Sequence, residues 1–184
     1  VKEYMGARYD CEILVENNVI ADLKGQYLDL SGTNRNLVYL YISDGVGGSI
    51  ICNGQVIDGE NSMAGKFAHI LVESGGRRCA CGKRGHLESY VSKPAMEEAY
   101  FEASGKRLEL PEICRLAGEG EKAAAAVLKD AIDKLAIGIN QILLVVNPGT
   151  LVLYGDLFES VDGILERLKQ KTKELAFTEE IADN

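Results

Sequence analysis

The stretch NLVYLYISDGVGGSIICNGQVID, residues 36–58, decides the fold. Its first part, residues 36–43, holds an unbroken run of aliphatic and aromatic residues from Leu37 to Ile42, the composition of a β-strand. A glycine-rich turn, Gly45-Val46-Gly47-Gly48, leads into a second strand at 49–53. Asn53-Gly54 suits a two-residue hairpin, because both positions of such a turn take positive φ, and residues 55–58 return as a third strand. The result is a β-meander. On its amino-terminal side, CEILVE (11–16) reads as a short strand, Asn17 and Asn18 as a turn or helix cap, and 19–30 as a helix broken at 32–34. On its other side, 62–66 is a loop or short helix and 69–73 a further strand.

Beyond residue 87 the pattern is helical. Helices are predicted at 93–103, with Pro94 in the first turn, at 111–116, and at 121–146. In the last of these, Val127, Ala131, Leu135, Ile139 and Ile142 recur at helical spacing and mark a buried stripe. Asn147-Pro148-Gly149 stops it. A buried strand at 150–155 and a final amphipathic helix at 157–175 follow. A meander followed by helix, strand and helix is an α/β arrangement.

Composition narrows the function. Apolar residues make up 46% of the 184, so the chain can bury a core. A net charge of −8 opposes duplex binding, which needs clustered cations to displace counterions. The densest basic cluster, Arg77, Arg78, Lys83 and Arg84, reads as a solvated loop. No apolar run is long enough to span a bilayer, and the first ten residues lack a secretory pattern. Five cysteines without a regular framework argue against a secreted disulfide scaffold and for a cytoplasmic protein. Cys11, Cys52 and Cys114 lie in apolar runs and are expected in the core.

Residues 75–85 are rich in Gly, Arg and Cys and cannot form a core alone. Both histidines of the chain, His69 and His86, flank Cys79 and Cys81. Two thiolates and two imidazoles make a complete tetrahedral set for Zn²⁺, and four protein ligands leave no open position, so such a site is structural. Spacing alone leaves open the alternative of two packed cysteines and two surface histidines. The glycine run after Asp44 offers backbone N–H groups for a phosphate nest, yet a plain tight hairpin explains it as well. Asn17 and Asn18 can bond sugar hydroxyls or cap a helix. Glu88 can accept a hydroxyl proton or interact with the helix dipole.

Taken in order, these stretches resemble the ROK family of sugar kinases and sugar-responsive repressors. The family's E-N-D-x-N is similar to Glu16-Asn17-Asn18-Val19-Ile20, and its G-T-G-x-G-x-G to Ser43-Asp44-Gly45-Val46-Gly47-Gly48-Ser49. Its A-G-E-x-G-H resembles Ala64-Gly65-Lys66-Phe67-Ala68-His69. The zinc pattern C-x-C-G-x-x-G-C-x-E resembles the run from Cys79 to Glu88, and a late N-P-x-x-x-V-x-G-G resembles Asn147-Pro148 through Gly155.

The resemblance implies an actin–hexokinase-like (ribonuclease H-like) fold of two lobes, of which residues 1–184 supply mainly the second, with a zinc loop at 69–88. It makes His69, Cys79, Cys81 and His86 the zinc ligands and Asn17, Asn18, Lys66, His69 and Glu88 the sugar-site residues. Asp44, Gly45, Gly47 and Gly48 become the remnant of a phosphate loop. Departures from the pattern point away from catalysis. The kinase's catalytic Asp is replaced by Asn18, the second sugar-contacting Asn by Ile20, the sugar-binding Glu by Lys66 and the phosphate-loop Thr by Asp44. The D-x-G-x-T phosphate motif of the first lobe is absent from this chain. Lys66 suggests an anionic sugar ligand. The expected role is the effector-binding, dimerising domain of a ROK-type transcriptional regulator that senses a sugar or sugar phosphate. It would have no catalytic residue and would contact DNA only through an amino-terminal domain outside these residues. The alternatives are an ATP-dependent sugar kinase and a scaffold that binds no sugar.

Overall fold

The computed structural model describes residues 2–11, 13, 18, 20, 21, 25 and 35–177. The expected strand at 11–16 and the Asn17 cap lie outside them for the most part. Of the expected helix at 19–30, the described positions 20, 21 and 25 are helical, as is Asn18. A short helix α1, Lys2–Gly6, buries none of its residues.

Among the described residues four strands form one mixed sheet: β1, Leu37–Ile42, β2, Val46–Cys52, β3, Gln55–Val56, and β4, Thr150–Tyr154, in the order β3-β2-β1-β4. β1 is antiparallel to β2, with Leu40 opposite Gly48, and parallel to β4, with Val38 opposite Leu151. A strand paired on both sides and covered on both faces needs apolar side chains in both directions. β1 meets that demand: Val38, Leu40 and Ile42 join the main core, and Leu37 and Tyr39 join a smaller cluster with Ile51. Asn53 and Gly54 both take positive φ, 53° and 81°, as the hairpin requires.

The helices are α2, Glu88–Val91, α3, Lys93–Ser104, α4, Leu110–Gly118, α5, Lys122–Val146, α6, Asp156–Ser160, and α7, Ile164–Leu175. Pro94 stands in the first turn of α3, where its missing N–H has no partner to lose. α5 is the spine of the fold. Its stripe from Val127 to Ile142 is buried as its periodicity demands, the Glu121 side chain accepts a hydrogen bond from the Ala124 N–H at 2.6 Å, and Asn147 ends it in a left-handed conformation. At Gly138 the helix comes so close to Leu87 that a Cβ would lie 3.0 Å from its side chain. None of these helices is long and apolar enough to cross a membrane.

Several expectations are corrected. The glycine run is not a turn: Val46, Gly47 and Gly48 belong to β2 and pair with Ile42, Tyr41 and Leu40. Residues 69–73 are no strand. A 3-10 turn, Phe67–His69, is followed by a single bridge between Leu71 and His86. The Gly85 carbonyl accepts both the Val72 and Glu73 N–H groups, which ends the pairing there. β4 is half-buried because it has one strand partner among the described residues, and Tyr154 at its end is exposed. The final helix is broken: Val161 turns inward in extended conformation and Gly163, at φ 67°, starts α7. Of the three cysteines expected in the core, only Cys114 is buried, with its thiol pushed up to about 11 by desolvation; Cys11 and Cys52 are exposed.

Candidate metal centre and adjoining cleft

The metal loop starts from hydrogen bonds that fold residues 70–87 back on themselves. The Leu87 N–H donates to the Ile70 carbonyl at 2.9 Å and the Gly85 N–H to the Arg77 carbonyl at 2.8 Å. Within that outer turn, the Cys79 N–H donates to Lys83 O and the Gly82 N–H to Cys79 O. Gly82 and Gly85 take φ 87° and 79°, and a Cβ on Gly85 would overlap the Glu73 carbonyl. Glycine is required there by both conformation and space.

This folding brings His69, Cys79, Cys81 and His86 together with their donor atoms all within 4.8 Å of one another. Cys81 Sγ lies 3.2 Å from His86 Nδ1 and Cys79 Sγ 4.0 Å from His69 Nδ1. Zinc bond lengths of about 2.3 Å to sulfur and about 2.0–2.1 Å to nitrogen imply a tetrahedral S···N edge of about 3.6 Å, and the two observed distances bracket it. The donor set and its spacing fit a closed four-ligand ion. Burial pushes the Cys79 thiol up, so deprotonation there needs a cation to replace lost hydration.

A second layer ties the loop to the helices. The Tyr90 hydroxyl donates to Glu73 Oε2 at 2.6 Å and accepts from the Arg77 N–H at 2.7 Å. Lys134 of α5 reaches Glu73 at 3.3 Å, and Arg77 pairs with Asp130 at 2.8 Å. Arg77 is therefore structural. The hydrogen bond from Tyr90, then the Lys134 ammonium, holds the Glu73 carboxyl below its ordinary value, while desolvation first and Glu73 second push the Tyr90 hydroxyl up. The signal for Tyr90 and Glu73 was weak in the sequence, since neither has a motif.

Two residues past His86, Glu88 opens α2. Its Oε2 accepts the Val46 N–H at 3.1 Å. It thereby closes one side of a cleft of about 380 Å³ lined by Asn18, Tyr41, Ser43, Asp44, Gly45, Val46, Gly47 and Glu88. The Ser43 hydroxyl donates to Asp156 Oδ2 at 2.7 Å. Of the residues expected at a sugar site, the structure brings Asn18 and Glu88 to this cleft. Asn17 lies outside the described residues. Lys66 is exposed at the start of the 3-10 turn, and His69 stands in the metal group; neither lines the cleft. Asp44, Gly45 and Gly47 line it, but Gly48 does not: a Cβ there would overlap the Phe67 ring, so its role is to admit the 3-10 turn. Because Gly47 and Gly48 are held in the ladder, the run forms no continuous phosphate nest. Tyr41, Ser43 and Asp156 were not singled out from the sequence. Tyr41 and Ser43 share a face of the strand end by two-residue alternation, which was the available signal.

The ROK family model matches residues 1–183. The chain belongs to the ROK family. The xylose repressor of Bacillus subtilis (strain 168) is 25% identical over 180 residues, 97% of this chain and 47% of that protein. A glucokinase of Pyrobaculum calidifontis is 33% identical over 147 residues, 79% of this chain and 49% of that protein. A ROK hexokinase from Thermus thermophilus superposes with a TM-score of 0.86 at 25% identity, covering 94% of this chain and 59% of that one. The chain thus spans about half the length of the curated relatives it matches. Its fold is of the actin–hexokinase-like type, a mixed sheet with helices. Repressors and sugar kinases both stand among its ROK relatives.

Proposed function

We propose that this chain is the effector-binding and dimerising part of a ROK-type transcriptional regulator of carbohydrate metabolism, with kinase chemistry lost. The observation that carries the reading is Asn18 in the cleft beside Asp44. Asn18 occupies the position that resembles the family kinase's catalytic Asp, and an amide cannot take a proton near neutral pH. Loss of a positioned general base costs roughly 10²–10⁴-fold in rate. Asp44 adds a carboxylate where the transferred phosphoryl group would have to approach, a like-charge contact. In this reading the cleft binds a sugar, and closure around it biases a homodimer between two states, as differential affinity requires. DNA contact belongs to a segment outside these 184 residues, since a net charge of −8 suits no duplex surface.

His69, Cys79, Cys81 and His86 would hold a structural Zn²⁺, whose work is to order residues 69–86 and so fix Glu88. A coupled ADP-release assay on the full-length protein with glucose and N-acetylglucosamine is expected to stay at background, and Asn18→Asp alone is not expected to restore turnover. Ordinary hexose turnover by the wild type would refute the reading in favour of a sugar kinase, which the glucokinase relative keeps as the second candidate.

A further inference from the structure

We propose that the cleft selects a sugar bearing a free ammonium group, a protonated amino sugar, over neutral, N-acylated or phosphorylated hexoses. This rests on the cleft being the effector site proposed above and adds the charge of its ligand.

The lining carries two carboxylates, Asp44 and Glu88, and no cationic side chain among the described residues. Glu88 uses one oxygen to hold the Val46 N–H, which fixes the carboxylate in place and leaves its other oxygen as an acceptor. Asp44 is exposed at the rim, and no ion pair engages it among the described residues. A third carboxylate, Asp156, accepts the Ser43 hydroxyl hydrogen bond at 2.7 Å, which leaves the lone pairs of the Ser43 oxygen as acceptors.

Among the described residues no cationic side chain lines the cleft. Lys93 donates its backbone N–H to the Ser43 carbonyl, and its ammonium pairs with Glu109 at 3.2 Å, with Asp156 a lesser electrostatic partner. Lys66, which in the sequence suggested an anionic ligand, stands outside the cleft. Tyr41, with its ring 5.9 Å from that of Tyr154, adds an aromatic wall, a surface that attracts cations. Asn18 supplies an amide for neutral hydroxyl groups.

Acceptor-only carboxylates beside an aromatic ring reward a charged N–H donor. A phosphate would meet two carboxylates and no cation in the described lining, with only the neutral side-chain donors of Asn18 and Tyr41 to answer it. N-acetylation removes the charge and leaves a single weak N–H. The cleft therefore discriminates at the amine and not at the ring hydroxyls.

Isothermal calorimetry on the full-length protein tests this with glucosamine, glucose, N-acetylglucosamine and glucosamine 6-phosphate. Glucosamine is expected to bind tightest, by about tenfold or more over glucose, the scale of a hydrogen bond to a charged group. Asp44→Asn is expected to remove most of that preference, weakening glucosamine by about tenfold more than it weakens glucose, with circular dichroism confirming the fold. Glu88→Gln should act in the same direction. The wild type alone offers a check independent of any variant: the preference should vanish as pH rises and the amine loses its proton. If glucose or N-acetylglucosamine binds as tightly and the order ignores both Asp44→Asn and pH, the amino-sugar assignment is overturned while the sensor reading stands. No heat with any of the four would overturn the sensor reading, and this inference with it.

Discussion

The metal loop and the cleft are neighbours joined by Glu88, and they have departed from the family pattern in opposite ways. In the loop, the change resembling cysteine to His86 keeps a complete donor set, with every donor atom within 4.8 Å of the others. In the cleft, Asn18 and Asp44 stand, in the proposed reading, where a base and a phosphate contact would be needed. The difference teaches that a structural ion tolerates exchange among ligands it binds equally well, thiolate for imidazole. A proton acceptor or a phosphate contact has no such equivalent among amides and carboxylates. In the proposed reading, loss of catalysis is thus compatible with retention of a metal staple.

The sharpest way to break this comparison is to remove the staple. Cys79→Ala, or exhaustive chelation, should abolish bound metal by elemental analysis and lower stability by several kcal/mol in thermal melts. The figure lies below the roughly 10–16 kcal/mol of metal-dependent peptides, because the core of α5 and the sheet remains. A protein purified without chelator that holds no metal would end the zinc assignment. Gly85→Ala tests the loop's backbone independently of its ligands. The added Cβ meets the Glu73 carbonyl in a positive-φ residue, and a loss of roughly 2–4 kcal/mol is expected in denaturant unfolding. Tyr90→Phe leaves the Arg77 N–H without its acceptor. It should cost about 1–3 kcal/mol and weaken metal retention in a competition titration, with no change in the cleft's ligand preference.

The smallest effect is a pH dependence. The Tyr90 hydroxyl and Lys134 hold the Glu73 carboxyl below its usual value of 4.5. A lowered folded value means that the stabilisation is present in full above that usual value and fades as pH falls through the lowered one. Glu73→Gln should therefore flatten the acid limb of a stability–pH curve. The change should be slight, because the Glu73 side chain is 44% exposed and solvent screens it. An unchanged acid limb would mean that the tie between loop and α5 rests on Arg77 and Asp130 instead.

Legibility followed locality. β1, the Asn53-Gly54 hairpin, α5 with its stripe and the Asn147 stop were all readable, because each rests on residues close in sequence whose period or turn chemistry admits one solution. The misread elements depend on distant partners. Gly47 and Gly48 carry turn residues' names, but β1 offers them a ladder and Phe67 needs the space beside Gly48. Residues 69–73 have strand composition, yet the backbone beside them is the 85–87 turn, which ends pairing after a single bridge. The break at 161–163 rewards the burial of Val161 against the core, which periodicity cannot anticipate.

For the site, the residue types by themselves determined which chemistry was possible: two thiols and two imidazoles for an ion, an amide where a base would be needed. Ligand type is a property of the side chain and survives in a bare string. Only the tertiary structure decided which groups share a space. It sent Glu88 to the Val46 N–H, held Lys66 outside, paired Lys93 with Glu109 and hydrogen-bonded Ser43 to Asp156. Those choices give the cleft its charge, because electrostatic fields depend on distances across the fold that no local pattern encodes.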